Sequence, residues 1–260
     1  MIILASSSRA WWRRIASLAP AGSFFLHLDY REVHYAKVLL DAIFGRDSFM
    51  NEIIWAYDYG ARATKKWPAK HDNILWYAKD PSRYTFRYDD IDRIPYMAPG
   101  LVTPGKAARG KTPTDTWWHT IVSPTGKEKT GYPTQKPLAI LERIVRVHSN
   151  PGDHLLDFFA GSGTLGEAAV RNGRSAVLID NNPEALAVMA ARLAFAAPEF
   201  HGVTPGAKSS LRSESSDTYH RRSSGRAACP SPRGRFRPTP VDSSSRSRSA
   251  PSDRSSRRPT

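Results

Sequence analysis

The residues with the clearest chemical capacity in this chain run Asp157-Phe158-Phe159-Ala160-Gly161-Ser162-Gly163-Thr164. They follow the short apolar pair Leu155-Leu156 and open a helix. A second apolar stretch, Ala176-Val177-Leu178-Ile179, then ends in Asp180-Asn181-Asn182-Pro183. Strand, glycine turn, helix, strand and acid in that order suit an adenosine-containing cofactor. Glycines let the backbone turn tightly and approach a ligand, and the helix start offers unpaired N–H groups. A carboxylate at the end of the second strand can accept both ribose hydroxyls.

Gly161, Gly163 and Gly166 also satisfy G-x-G-x-x-G, the fingerprint of nicotinamide dinucleotide binding. Two features point elsewhere. Asp157 sits just before the turn, where it can hold a cationic amino group. The run Thr134-Gln135-Lys136-Pro137 stands one short helix upstream, a feature that dinucleotide enzymes do not need. A nicotinamide-dependent oxidoreductase remains the alternative from another enzyme class.

The elements that must position these residues follow from periodicity. Residues 9–19 read as a helix ended by Pro20-Ala21-Gly22, and Ser23 to Leu28 as a strand buried on both faces. Val33, Ala36, Leu40 and Ile43 give an amphipathic helix over 31–44, stopped by Gly45. Short strands are expected near 52–56 and 73–78. Residues 80–130 lack sustained periodicity. A helix over 138–148 buries Leu141, Ile144, Val145 and His148, and Asn182 caps the last helix, with Leu186, Met189, Ala190 and Leu193 inward. The alternation predicts an α/β fold over residues 1–200. Residues 201–260 are rich in Ser, Arg and Pro and poor in apolar side chains, so a disordered tail is expected.

The formal net charge of the 260 residues is +14, and the tail carries 13 Lys and Arg against four acids. The remainder is mildly basic, which permits nucleic-acid binding. Gly60 to His71 holds Arg62, Lys65, Lys66 and Lys70 around Trp67 with no acid, a composition suited to phosphate contact or to a plain solvated hairpin loop. Trp117 and Trp118 can stack on bases or pin a small subdomain. Cys229 is the single cysteine, which excludes an intrachain disulfide or a cysteine metal cluster. No metal-ligand constellation, signal peptide or membrane-length apolar run is visible, so a cytoplasmic protein with no membrane partner is expected.

Three segments together resemble the cofactor half of DNA amino-methyltransferases. They are Gly131 to Pro137, Asp157 to Thr164, and Ile179-Asp180-Asn181-Asn182-Pro183-Glu184. Upstream, Leu18 to Asp29, Asn51 to Trp55 and Lys70 to Tyr77 are similar to later sheet strands of the permuted, β-class members. The similarity runs from about Arg9 to Ala197. It implies a Rossmann-like methyltransferase sheet with flanking helices and a methyl group passed from S-adenosylmethionine to adenine N6 or cytosine N4 in double-stranded DNA. By that resemblance 80–130 is a target-recognition insert and 131–197 the cofactor half. Asp157, Phe158, Ala160, Gly161, Ser162, Gly163, Thr164, Asp180 and Asn181 would hold the cofactor. Thr134, Gln135 and Lys136 would lie near its methionine moiety. Arg62, Lys65, Lys66, Lys70 and His71 would meet DNA.

The same family polarises the target amine with Asp, Ser or Asn followed by Pro-Pro and an aromatic residue. No Pro-Pro dipeptide occurs in this sequence, and Asp80-Pro81-Ser82 is its nearest imitation. The expectation is an N-terminally truncated chain whose sheet lacks a central catalytic strand, with Met1 to Ala5 able to occupy part of the slot. Catalytic residues stay unassigned. A remnant that binds DNA or cofactor without catalysis is the second reading, and a complementing N-terminal fragment or a restriction partner would be the associated proteins.

Overall fold

The computed structural model describes residues 2–4, 18–60 and 62–202. The strands are β1 (Ile2–Leu4), β2 (Ser23–Asp29), β3 (Phe49–Ala56), β4 (His71–Ala78), β5 (Thr116–Trp118), β6 (His154–Asp157) and β7 (Ser175–Leu178). The helices are α1 (Val33–Phe44), α2 (Pro104–Arg109), α3 (Leu138–His148), α4 (Thr164–Arg171) and α5 (Pro183–Arg192). One seven-stranded sheet has the order β5-β3-β4-β2-β1-β6-β7. All neighbouring pairs are parallel except those that β4 makes with β2 and β3.

The central strand that the sequence reading expected to be missing, with Met1 to Ala5 occupying at most part of its slot, is present. Ile2–Leu4 pairs in parallel with β2 on one side and with β6 on the other, so the sheet is continuous between its two halves. Three residues suffice because the backbone ladder needs only extended chain in register. The helix expected over 9–19 falls largely outside the described residues, and its last residues, Leu18 and Ala19, lie in no helix. The expected tail, 201–260, also lies outside them apart from residues 201 and 202.

Strands β2 and β4 read as near-continuous apolar runs because both of their faces are covered. Phe25, Ile74 and Trp76 pack with Ile140, Leu141 and Ile144 of α3 and Leu165 of α4. On the opposite face Phe24, Leu26, Leu75 and Tyr77 pack against Val33, Ala36 and Leu40 of α1. Helix α3 spans the residues its periodicity predicts. In α5 the buried residues are Ala185 and Met189, with Leu193 just beyond the helix end, so the inward face is rotated by one position from the one expected at Leu186 and Ala190.

Residues 80–130 contain only short turns, α2 and β5, consistent with the lack of periodicity there. The tryptophan pair divides. Trp117 is 9% exposed and joins the core, whereas Trp118 is 75% exposed. Adjacent strand residues point to opposite faces, so one of the two had to face out. Asp80-Pro81-Ser82 forms a closed turn after β4, in which Asp80 Oδ1 accepts both the N–H and the hydroxyl of Ser82.

Candidate cofactor and acceptor cavity

The carboxyl ends of β2 and β6, the segment after β7 and the start of β4 border a cavity of about 690 Å³. This is where an open α/β sheet holds ligands, since the loops leaving its strands diverge there. One wall is the glycine turn. Gly161 and Gly163 have φ of +51° and +73°, the left-handed region that favours glycine. The turn is tied to the next strand end: Asp180 Oδ2 accepts the Gly161 N–H at 2.8 Å, and Asp180 Oδ1 accepts the Asn182 N–H at 2.9 Å. Each carboxylate oxygen keeps lone-pair capacity beyond these bonds.

Asp157 is buried at the floor of the cavity. Burial pushes its carboxyl up to about 7, with the charge of Asp180 adding to the rise and the Phe159 N–H and Lys136 opposing it. Its Oδ1 accepts the Phe159 N–H at 3.0 Å, and no ion-pair partner meets it among the described residues. A buried carboxyl of this kind gains strongly from a cation placed beside it. Lys136 also lines the cavity. Burial lowers its ammonium, opposed by Asp72 and Asp157. Its Nζ donates to the Thr134 carbonyl at 3.0 Å, and its own carbonyl accepts the Thr164 hydroxyl at 3.3 Å.

The residues expected from sequence do not all converge. Thr134, Lys136, Asp157, Ala160, Gly161, Ser162, Thr164, Asp180 and Asn181 line the cavity. Phe158 does not: it packs on the α1 face of the sheet, and the neighbouring Phe159 takes the lining position. Gln135 turns away, accepting from Thr130 and donating to the Glu128 carbonyl. Gly163 is absent from the lining; a Cβ there would stand 2.8 Å from Met189 Cγ, so α5, not a ligand, demands glycine. Gly166 serves close packing in the same way, with a Cβ position 2.6 Å from Leu178 Cδ1. At Gly161 the space is closed by the ring of Tyr132, 3.0 Å from the Cβ position.

Sequence reasoning missed the opposite wall, built from His27, Asp29, Trp55 and Asp72. Polar residues breaking the apolar ends of two strands were the available signal. The basic segment forms the loop between β3 and β4, closed by the Tyr57 N–H to Lys70 carbonyl bond at 2.9 Å. Arg62 pairs with Asp58, Lys70 donates to the Tyr59 carbonyl, and His71 opens β4. Lys65 and Lys66 are exposed, and Trp67 is 95% exposed.

An α/β sheet with a glycine turn, a buried acid and a strand-end acid around one cavity places the chain in the class of open α/β folds with a ligand cavity at the strand ends. Within it, the chain belongs to the DNA methylase family, which matches residues 5–191. The chain is 34% identical over 176 residues to the type II methyltransferase M.HpaI of Haemophilus parainfluenzae, covering 68% of this chain and 54% of that relative. It is 36% identical over 142 residues to the DNA adenine methyltransferase YhdJ of Escherichia coli K12, covering 52% of this chain and 48% of YhdJ. The chain therefore spans about half the length of these relatives. Among solved structures, the M1.HpyAVI–SAM complex superposes with a TM-score of 0.54 at 25% identity, covering 74% of this chain and 87% of that one. PvuII DNA methyltransferase, described as cytosine-N4-specific, shares the fold with a TM-score of 0.53 at 15% identity, covering 78% and 80%. No described helix is long and apolar enough to cross a membrane.

Proposed function

We propose that this chain binds S-adenosylmethionine and serves methyl transfer to an exocyclic amine of adenine or cytosine in double-stranded DNA. The observation that carries the reading is the buried Asp157 carboxyl, which faces the cavity without an ion-pair partner among the described residues. S-adenosylmethionine supplies cationic groups to such a carboxyl and an activated methyl group to the reaction. The nicotinamide alternative would set an anionic pyrophosphate, not an amino group, against the glycine turn beside that carboxyl.

In this reading Asp157 receives the amino group of the methionine moiety, and Lys136 with Thr134 holds its carboxylate. Asp180, already fixed by the Gly161 and Asn182 N–H groups, presents its remaining lone pairs to the ribose hydroxyls. Tyr132 and Phe159 exclude water from the glycine turn. Lys65, Lys66 and Trp67, exposed beside the cavity end of the sheet, contact the DNA backbone. Arg62 and Lys70 brace that loop through the Asp58 and Tyr59 contacts.

Calorimetric titration with S-adenosylmethionine and, separately, with NAD tests the cofactor. Binding of the first and not the second is expected, and the reverse would overturn the reading. Transfer of a labelled methyl group to mixed-sequence DNA then tests the reaction.

A further inference from the structure

Arg192, the last residue of α5, does not line the cavity, yet its guanidinium bonds two residues that do. The side chain is 5% exposed, and each of its three nitrogens meets a different group. Nε donates to Glu167, in the first turn of α4. Nη1 donates to the hydroxyl oxygen of Thr164 at 3.1 Å and to that of Ser162 at 3.4 Å. Nη2 lies 3.6 Å from Glu128 Oε1. Glu128 Oε1 in turn accepts the N–H of Leu138, the first residue of α3, at 2.6 Å.

The hydroxyls have one consistent orientation. Thr164 gives its single hydroxyl proton to the Lys136 carbonyl at 3.3 Å, so its oxygen is left to accept. Ser162 therefore donates to Thr164, at 3.0 Å, and both oxygens receive Nη1. A hydrogen-bonded chain thus runs from a buried cation through Thr164 to the backbone of Lys136. Packing alone does not call for it. A staple between α4 and α5 needs only the Glu167 contact. A cation beside the first turn of α4 opposes the helix dipole, and Glu167 offsets that without help from Ser162 or Thr164. A planar fork with donors on several sides meets all these groups at once, which a lysine ammonium on a shorter reach cannot do.

We infer that Arg192 is a positioning residue of the cofactor site. It fixes the Thr164 hydroxyl and, through it, the glycine turn and the backbone of Lys136, without touching the ligand. The inference rests on the cofactor reading above, in which Lys136 and the glycine turn both meet S-adenosylmethionine.

The test is a cycle of Arg192→Lys, Thr164→Val and the two together in the full chain. Calorimetry reads affinity for S-adenosylhomocysteine, and thermal unfolding checks the fold. Lys keeps the buried charge beside Glu167 but loses the fork, and Val keeps nearly the shape of Thr but loses the hydroxyl. Each single change should lower affinity about tenfold, the loss of one good hydrogen bond. The pair should also lower it about tenfold, because both changes break the same link. A residue that only staples two helices would give unchanged affinity in folded Arg192→Lys, or losses that multiply to about a hundredfold in the pair; either result overturns the inference. Should Arg192→Lys not fold, Arg192→Met with Glu167→Gln removes both buried charges together and takes its place in the cycle. Amide exchange in the ligand-free chain gives a second reading. The Gly161 and Gly163 N–H groups, bonded to Asp180 and to the Ala160 carbonyl, should exchange faster in each single variant and no faster in the pair. Exchange unchanged in both single variants would also overturn the inference. Failure of S-adenosylhomocysteine to bind the unaltered chain, with exchange as expected, would strike the cofactor reading and support the positioning of the turn.

Discussion

Asp180 Oδ2 accepts the backbone N–H of Gly161 at 2.8 Å, so the acid at the end of β7 and the turn after β6 form a single hydrogen-bonded unit. Asp180→Ala removes that bond, the one to Asn182, and the carboxylate offered to the ribose. Affinity for S-adenosylmethionine should fall by about 1–3 kcal/mol. Titration calorimetry reads it, and affinity equal to that of the unaltered chain would place the ribose elsewhere.

Gly163→Val is expected to damage the fold before it affects the ligand. Its φ is +73°, and a side chain there meets Met189 Cγ at 2.8 Å. Strain and overpacking together should cost about 3 kcal/mol. Thermal unfolding measures it. Shrinking the neighbour with Met189→Ala in the same chain should recover the packing part but not the backbone part. Full recovery would show that φ carries no strain.

Asp157 sets a pH dependence. Its folded value, about 7, lies above the ordinary carboxylate value of 3.8. Between those two values the folded chain holds a proton that the unfolded chain has released. Stability therefore falls as pH rises through that window, by at most about 1.4 kcal/mol per unit from this group, and levels off above pH 7. Cofactor affinity should move the other way, because the ionised carboxylate is the form that pairs with the amino group. At pH 6 binding should release a proton, visible as a dependence of calorimetric heat on buffer ionisation enthalpy. Asp157→Asn should abolish that release; an unchanged heat pattern in the variant would exclude Asp157 as the source.

Lys65→Ala with Lys66→Ala should weaken DNA binding by the full chain similarly on all sequences. The salt dependence should flatten by about 2 in the slope of log affinity against log salt, one for each lost phosphate contact. A loss confined to one target sequence would mean that these side chains read bases.

The two adjacent tryptophans should behave differently. Trp117→Ala opens a void under Arg143, whose guanidinium lies 4.8 Å from the ring centroid, and should cost about 3–5 kcal/mol of stability. Trp118→Ala should leave the unfolding temperature nearly unchanged and lower DNA affinity if its exposed ring stacks on bases. Equal losses of stability would contradict the packing difference.

Helix α3 was legible to the residue because its apolar spacing and its stop at Asn150-Pro151-Gly152 are local signals. The glycine turn, Asp157 and Asp180 were legible for the same reason: strand, turn and acid are neighbours along the chain. Periodicity could not say which of Phe158 and Phe159 enters the cavity, because the strand ends there and the alternation of faces ends with it. It could not assign Gly163 to α5 rather than to a ligand, since that choice depends on where Met189 docks. The filling of the central slot by Ile2–Leu4 was open in the sequence, where three apolar residues specify no partner, and only the parallel register with β2 and β6 decided it. The His27–Asp72–Tyr57 wall lies furthest from local reading. Its members come from two strands and the loop after β3, and 45 residues separate His27 from Asp72, so only the antiparallel pairing of β2 and β4, and the diagonal it creates, brings a histidine and an acid to hydrogen-bonding distance.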